Sequence, residues 1–456
     1  MHPDGKTPWT RMTPALFFLL GLLPLQAQNW PAFRGPGGGG VAEGPGPTAW
    51  DVERSTNVKW KTEIPGLGHS SPVVWGDRVF VTTAVSSGTG EEIPKALGGE
   101  VASSSDMAPH SWRVYCLDKR TGKILWEKVL HEGVPRIKRH VRNSFATPTP
   151  ATDGRHLVVS FGAEGLFGLD LDGKVLWRQD LGTLAAGYYA DTKYQWGFGS
   201  SPILYGDLVI IQADVDREPF LAAYDLATGK PVWKTAREDR QSWSTPGVTR
   251  GLEQDELVTI APQAVRGYDP KTGRELWRLD WKMDITQSTP VVSDGVIYLS
   301  SGKGPQQPIL ALRPGARGDI TPQPGKPLDP HIVWLKDRGG PITTSPLVYG
   351  GYLYSLVDQG ILRCLSLATG EEVYTERVRG EFLSSPVAAG GKLYLTAVDG
   401  DVHVVRAGPR YEQLAVSSLD EISYATPAIS DGLLIVRTRR FLYGIAEPAT
   451  PEQRKE

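Results

Sequence analysis

One phrase of turn and strand, Ala223-Tyr224-Asp225-Leu226-Ala227-Thr228-Gly229-Lys230-Pro231-Val232-Trp233, recurs along the chain and limits what it can become. It returns as CLDKRTGKILW ending at Trp126, GLDLDGKVLW at Trp177 (one residue shorter), GYDPKTGRELW at Trp277 and CLSLATGEEVY at Tyr374. HIVW at Trp334 keeps only the ending. Asp225 is placed to accept backbone N–H groups ahead of it, and Gly229 supplies the positive φ of a tight turn. Trp233 is a large apolar residue that needs a neighbour to cover it. The copies stand 40 to 57 residues apart. A supersecondary unit at that period signals a solenoid, a propeller or an array.

A second landmark precedes each turn: Ser or Thr, then Pro, an apolar pair, a Gly or Asp turn and another apolar run. It occurs at Pro72, Pro148, Pro202, Pro246, Pro290, Pro346, Pro386 and Pro427. Each copy reads as two short β-strands around a tight turn, and the stretch to the Trp supplies two more. Four antiparallel strands per unit make a propeller blade. The expected fold is therefore all-β: an eight-bladed β-propeller of four-stranded antiparallel blades. The last unit ends without a Trp, while an orphan NVKWKTEI (Asn57 to Ile64) stands before the first landmark. That orphan is expected to be the outer strand of the eighth blade, so that the ring closes by pairing an N-terminal strand with Phe441–Ala446. Trp60, Trp126, Trp177, Trp233, Trp277, Trp334 and Tyr374 then form one docking series between neighbouring blades. Blade seven has no clear aromatic at this position, which predicts a weaker joint.

The period and the ends divide the chain into residues 1–27, 28–56, 57–447 and 448–456. Lys6 and Arg11 followed by the apolar run Pro14 to Leu25 read as a secretory signal peptide cut near Ala27. The run is short for a spanning helix, and an uncleaved anchor is the alternative. No Cys follows it, so a lipid anchor there is not expected. Residues 28–56 are rich in Gly and Pro and are expected as an extended lead-in, with Trp30 and Phe33 packing on the body, or as a disordered linker. Residues 448–456 are a tail. The expected protein is periplasmic or secreted, a monomer, without stable membrane insertion. A net charge of -2 gives no reason to expect nucleic acid as a partner. Cys116 and Cys364 hold the same place in non-adjacent units, which puts them beyond bonding reach and predicts two free, buried thiols. Three stretches break the period: Ala84 to His110, His131 to Arg142 and Arg313 to Pro330. All three are expected as surface loops.

The eleven-residue phrase resembles the tryptophan-docking motif of the pyrroloquinoline-quinone (PQQ) repeat family, in Ala223, Asp225, Thr228-Gly229-Lys230 and Trp233. The resemblance runs from about Asn57 to Glu447. It implies the propeller fold, and it spans two functional groups: quinoprotein dehydrogenases and non-catalytic propellers similar to the outer-membrane assembly scaffold. A dehydrogenase of this kind implies PQQ with calcium held by Glu, Asn and Asp oxygens, an Asp base, and a quinone stacked between a Trp and an adjacent-cysteine disulfide. This chain has no adjacent cysteines. Its prominent carboxylates (Asp118, Asp170, Asp225, Asp269, and Asp77, Asp153, Asp207, Asp294, Asp431) fall in repeated turns, where they are expected as turn formers.

No catalytic residue and no metal site is therefore assigned, and no cofactor is expected; PQQ with calcium is the alternative. Trp196, Trp243 and His69 precede inner strands near one mouth of the channel and are the candidate cofactor-binding residues, with plain packing as the competing reading. The hydroxyls before each Pro (Ser71, Thr147, Ser201, Thr245, Thr289, Ser345, Ser385, Thr426) form a ring at the same end, each expected to cap a local turn. The leading expectation is an exported, non-catalytic scaffold that binds a protein partner, with envelope assembly as its setting. The alternatives are a PQQ-dependent oxidoreductase with an atypical site and a polysaccharide-binding propeller.

Overall fold

The computed structural model describes residues 28–88, 101–251, 254–300, 302–304 and 306–448. They form eight antiparallel sheets arranged as blades. Blades one to eight cover residues 73–133, 151–179, 203–236, 247–280, 291–336, 347–377, 387–418 and 428–445. In each, the short strand after the Ser/Thr-Pro step is innermost and the fourth strand, which carries the docking aromatic where there is one, lies on the outer side. The eighth blade has only three strands from its own stretch of chain. Val58–Glu63 completes it, pairing with Phe441–Ile445 through Trp60 opposite Gly444 and Glu63 opposite Phe441. The seam of the ring is thus a non-covalent strand pair, as the orphan NVKWKTEI led one to expect.

Docking has a simple steric basis. In seven of the eight blades an outer aromatic lies directly across the ladder from a small residue: Trp126 from Cys116, Trp177 from Gly168, Trp233 from Ala223, Trp277 from Gly267. The series continues with Trp334 across from Ala311, Tyr374 from Cys364 and Trp60 from Gly444. The ring folds flat over that partner, and a Cβ on Gly168 would stand 2.1 Å from the Trp177 ring. This explains both cysteines, which are free and buried: each is the small residue under a docking aromatic.

The far edge of the indole reaches the next blade's turn. Trp60 Nε1 donates to Lys119 O at 2.8 Å, Trp126 to Leu171 O at 3.1 Å and Trp177 to Leu226 O at 2.8 Å. Trp233 donates to Pro270 O at 3.2 Å and Trp334 to Leu367 O at 2.8 Å. The turn is held ready by its Asp: Asp225 Oδ1 accepts the Thr228 N–H at 2.8 Å and the Thr228 hydroxyl at 2.6 Å. Gly229 has φ +70°, and a Cβ there would meet the Trp177 ring at 2.6 Å. Gly229→Ala therefore combines backbone strain with a clash. It should cost about 1–3 kcal/mol in chemical denaturation, against a few tenths for Lys230→Ala in the same turn; equal losses would remove the docking explanation.

Two joints depart from the rule. Blade five lacks the Thr-Gly turn, and Trp277 donates instead to Glu256 Oε2 at 3.0 Å. The other Glu256 oxygen accepts Gly315 N at 2.9 Å across the joint. Within Arg313 to Pro330, expected as a surface loop, Gly315 to Ile320 is tied to blade four, and most of the rest is exposed. Gly318–Asp319 runs parallel to the outer strand of blade four and makes it five-stranded. At blade seven Ala415 stands where the others carry an aromatic, opposite Val404. The receiving blade eight has no turn there, because the chain is broken at the seam. Trp50 of the lead-in is buried in the core cluster that spans this joint, and its backbone N–H donates to Ser417 Oγ at 3.0 Å.

The other period breaks also need correcting. Ala84–Ser86 and His110 belong to strands, as do His131–Gly133, so only the residues between them are inserted. Of these, 89–100 lie outside the described residues. Residues 28–56 are ordered along one face of the ring. Trp30 is wholly buried and exchanges backbone bonds with Val74. Arg34 is wholly buried too and donates to the carbonyls of Pro346, Pro386, Gly38 and Gly39. Burial pulls its guanidinium down to about 9, which leaves it charged at neutral pH. A second buried charge group lies between blades three and four. Arg237 holds Asp214 Oδ1 at 2.6 Å and donates to Thr259 and Tyr268, while Arg266 pairs with Asp239.

Candidate functional site

The inner strands leave a funnel of about 500 Å³ on the ring axis. Each blade contributes to its wall, from Ser71 of blade one through Ser201 and Thr245 to Thr426 of blade eight, and Phe33 of the lead-in also lines it. The period-breaking segments build one side of the rim. Val101 and His140 belong to two of them and meet Trp196, which stands just before blade three: Trp196 Nε1 donates to Val101 O at 3.0 Å, and His140 stands edge-on to Trp196 with centroids 5.4 Å apart.

The ring of hydroxyls does something other than cap turns. Ser71 N donates to Thr149 Oγ1 at 2.9 Å, Thr149 N to Ser201 Oγ at 3.0 Å and Ser201 N to Thr245 Oγ1 at 3.0 Å. After a gap, Thr289 N donates to Ser345 Oγ at 2.9 Å, Ser345 N to Ser385 Oγ at 2.9 Å and Ser385 N to Thr426 Oγ1 at 3.0 Å. Six hydroxyls thus accept from the preceding blade and tie neighbouring blades together at the neck. In blade two the position is filled by Thr149, not Thr147. The sequence ATPTP offers two Thr-Pro steps, and the inner strand Ala151–Thr152 follows the second. Thr147 instead donates to Asn143 Oδ1 at 2.5 Å. Among the described residues the protons of Thr149, Ser201, Thr245, Ser345, Ser385 and Thr426 have no acceptor, so the neck presents O–H donors to whatever fills the funnel.

Trp196, Trp243 and His69 do line this funnel. The two tryptophans touch each other, with centroids 5.4 Å apart and planes tilted by 40°. A flat ligand sandwiched between them needs about 7 Å, twice the contact distance of stacked atoms. Tyr188 stacks on Trp196 at 5.2 Å, and Trp243 Nε1 donates to Gly197 O at 2.7 Å. Both rings are therefore engaged in building the rim. His69 is edge-on to Tyr424 at 4.9 Å. Burial, with Arg437 and Arg139 nearby, pulls its imidazole down to about 3, so it is neutral at pH 7.

Among the acidic side chains, Asp358 faces the funnel. It accepts Ile342 N at 3.2 Å, Thr343 N at 3.1 Å and Thr343 Oγ1 at 2.7 Å, and burial pushes its carboxyl up from the usual range. Asn143 Oδ1 already accepts Ser144 N at 2.8 Å. The carboxylate of Asp358 and the amide oxygen of Asn143 are thus bonded to the protein, and the turn carboxylates lie in the repeated turns, as Asp118 does at 2.8 Å from Thr121 N. This donor set does not fit a calcium-held quinone, and no step through one is derived. The signal that found the funnel residues was position before an inner strand. Asp358, Lys303 and Phe33 were missed, because nothing in their local sequence marks them as axial.

Comparison with known proteins agrees with the geometry. The family described as outer membrane protein assembly factor BamB, of the PQQ repeat type, matches residues 110–304 and 326–440. BamB of Yersinia pestis is 24% identical over 365 residues, covering 71% of this chain and 87% of its own. Tetrathionate hydrolase of Acidithiobacillus ferrooxidans is 23% identical over 350 residues, covering 72% of this chain; the match spans only 62% of the hydrolase. Among solved structures, BamB from Moraxella catarrhalis aligns with a TM-score of 0.56 at 14% identity, over 86% of this chain and 99% of its own. A quinohemoprotein alcohol dehydrogenase from Comamonas testosteroni aligns with a TM-score of 0.60 at 13% identity, over 93% and 82% respectively. At these identities the structural likenesses establish the fold alone. With more than half of its length matched, the chain belongs to the BamB family of PQQ-repeat propellers.

Proposed function

We propose that the protein is an exported, non-catalytic propeller scaffold that holds a protein partner in the cell envelope, in the setting its family's description names. Export rests on the N-terminal apolar segment, which lies outside the described residues; among those described, no helix is long and apolar enough to cross a membrane. The observation that carries the reading is the bare outer rim of blades one to three. Leu125, Val129, Val175, Leu176 and Val232 are exposed there. The outer strand of blade one, Ile124–Gly133, has 10 residues, against 5 or 6 in the other blades' outer strands. A long, half-apolar edge with free backbone groups is normally hidden, and an added strand hides it.

Blade four shows what such an addition does. Where Gly318–Asp319 lies along its outer strand, Leu276, Trp277 and Leu279 are buried. An extended segment of the partner, added to Ile124–Gly133, is the occupant this edge suits. Leu125→Asp with Val129→Asp, both at exposed positions, should weaken capture of the envelope partner by about tenfold or more, the cost of seating charges in a desolvated contact, with the circular dichroism and melting of the ring unchanged. Undiminished capture by the pair would move the binding face elsewhere. Calcium-dependent dye reduction and a quinone spectrum after adding PQQ to the purified protein would favour the oxidoreductase instead.

A further inference from the structure

The ring seam contains a socket for the start of the chain. Gln28 N is 2.8 Å from Asp431 Oδ1, and Lys119 Nζ is 2.6 Å from Asp431 Oδ2. The Ser430 hydroxyl donates to Gln28 O. The Gln28 carboxamide, oriented to suit both partners, donates to Glu43 O at 3.0 Å and accepts Glu43 N at 2.6 Å. Every polar group of this one residue is held. The next residues are held as well, Asn29 by Gly76 N at 2.8 Å and Trp30 by Val74. The socket lies beside the seam, which runs inside blade eight: Asp431 and Ser430 belong to the C-terminal part of that blade, Lys119 to blade one, and Lys119 O accepts the indole of Trp60 on the N-terminal strand.

We infer that Gln28 is the first residue of the processed protein, and that its free α-ammonium is captured by Asp431 as the last lock on the ring seam. In an uncut chain the Gln28 nitrogen is a neutral amide N–H. After a cut behind Ala27 it is an ammonium with three donors and a full charge, set against a carboxylate that already faces Lys119. The seam is therefore tightened by processing. The same contacts protect the new terminus from its ordinary fate. An N-terminal Gln cyclises when its amine nitrogen attacks the side-chain amide carbon; the new N–C bond forms, the C–NH2 bond breaks and ammonia leaves. A paired, protonated amine has no lone pair for that attack, and the carboxamide is held on the Glu43 backbone.

The position of the cut rests on the export reading, and the socket rests on the geometry alone, so the experiment separates them. Protein recovered from the envelope should have the intact mass of a chain that begins with uncyclised Gln28; any other start overturns the assignment of the cut. Protein made in the cytosol behind a tag whose removal leaves Gln28 first tests the socket. Followed by mass, ammonia loss should be about tenfold slower in the folded protein than in urea, because it must await local opening. Equal rates would overturn the capture. Asp431→Asn also loses the Lys119 contact, so it is compared in two backgrounds. It should lower the melting temperature more in the chain that starts at Gln28 than in one carrying Gly-Ser before it. Equal drops would show that Asp431 serves Lys119 alone.

Discussion

Replacing Trp60 with Ala should destabilise the ring by about 3–5 kcal/mol, the usual cost of deleting a buried indole. Trp60 is 6% exposed, lies over Gly444 on its own blade and Gly122 on the next, and donates to Lys119 O at 2.8 Å. Trp177→Ala removes the same kind of contact, over Gly168 and Gly229, and should cost a similar amount by guanidinium denaturation. The two should differ in what comes loose. Blade two stays continuous in the chain when Trp177 is lost. At the seam, Val58–Glu63 is held by pairing and docking alone, so Trp60→Ala should also make residues 28–57 sensitive to brief proteolysis under native conditions. If both variants resist protease equally, the seam is not the ring's weak joint.

The second large effect is expected at Arg237, which is wholly desolvated. Burial works against its charge, but Asp214 and then Asp239 outweigh that and hold the guanidinium above its usual range. Asp239 sits higher than an ordinary carboxylate because it is buried and faces Asp214, with Arg237 and Arg266 opposing that rise. Arg237→Met keeps the bulk and removes the cation, which leaves two buried carboxylates short of a partner. The expected loss at pH 7 is about 3–5 kcal/mol. Its pH dependence has a definite sign. Asp239 already titrates above its unfolded value and loses an opposing cation in the variant, so protonation there relieves the loss. The gap between wild type and variant should be widest at neutral pH and should narrow as the pH falls toward 4. A gap that widens on acidification would show that the network is not what Arg237 supports.

Much of the fold was legible because a propeller is repetitive and its rules are local. The Asp-to-Gly turn, the small residue across from each aromatic and the Ser/Thr-Pro step are each fixed within a few residues, and they repeat. The orphan strand could be placed by counting. The hydroxyl ring was legible in position, but its role was misread, because a hydroxyl beside a proline looks the same whether it bonds its own turn or the next blade. The Thr147 and Thr149 steps could not be told apart, since only the start of the inner strand decides between them. Arg313 to Pro330 reads as a loop because its pairing partner, the outer strand of blade four, is about forty residues away in the chain.

Sequence alone determined the all-β class, the blade number, the closing strand and the free cysteines, because each follows from contacts set by a fixed repeat. Tertiary structure alone decided the axial funnel, the engagement of Asp358 and Asn143 in its wall, the Arg237 network and the seat of Gln28 against Asp431. Those pairings join residues from different blades. Which of them meet depends on how the ring closes in space, and no local pattern encodes that.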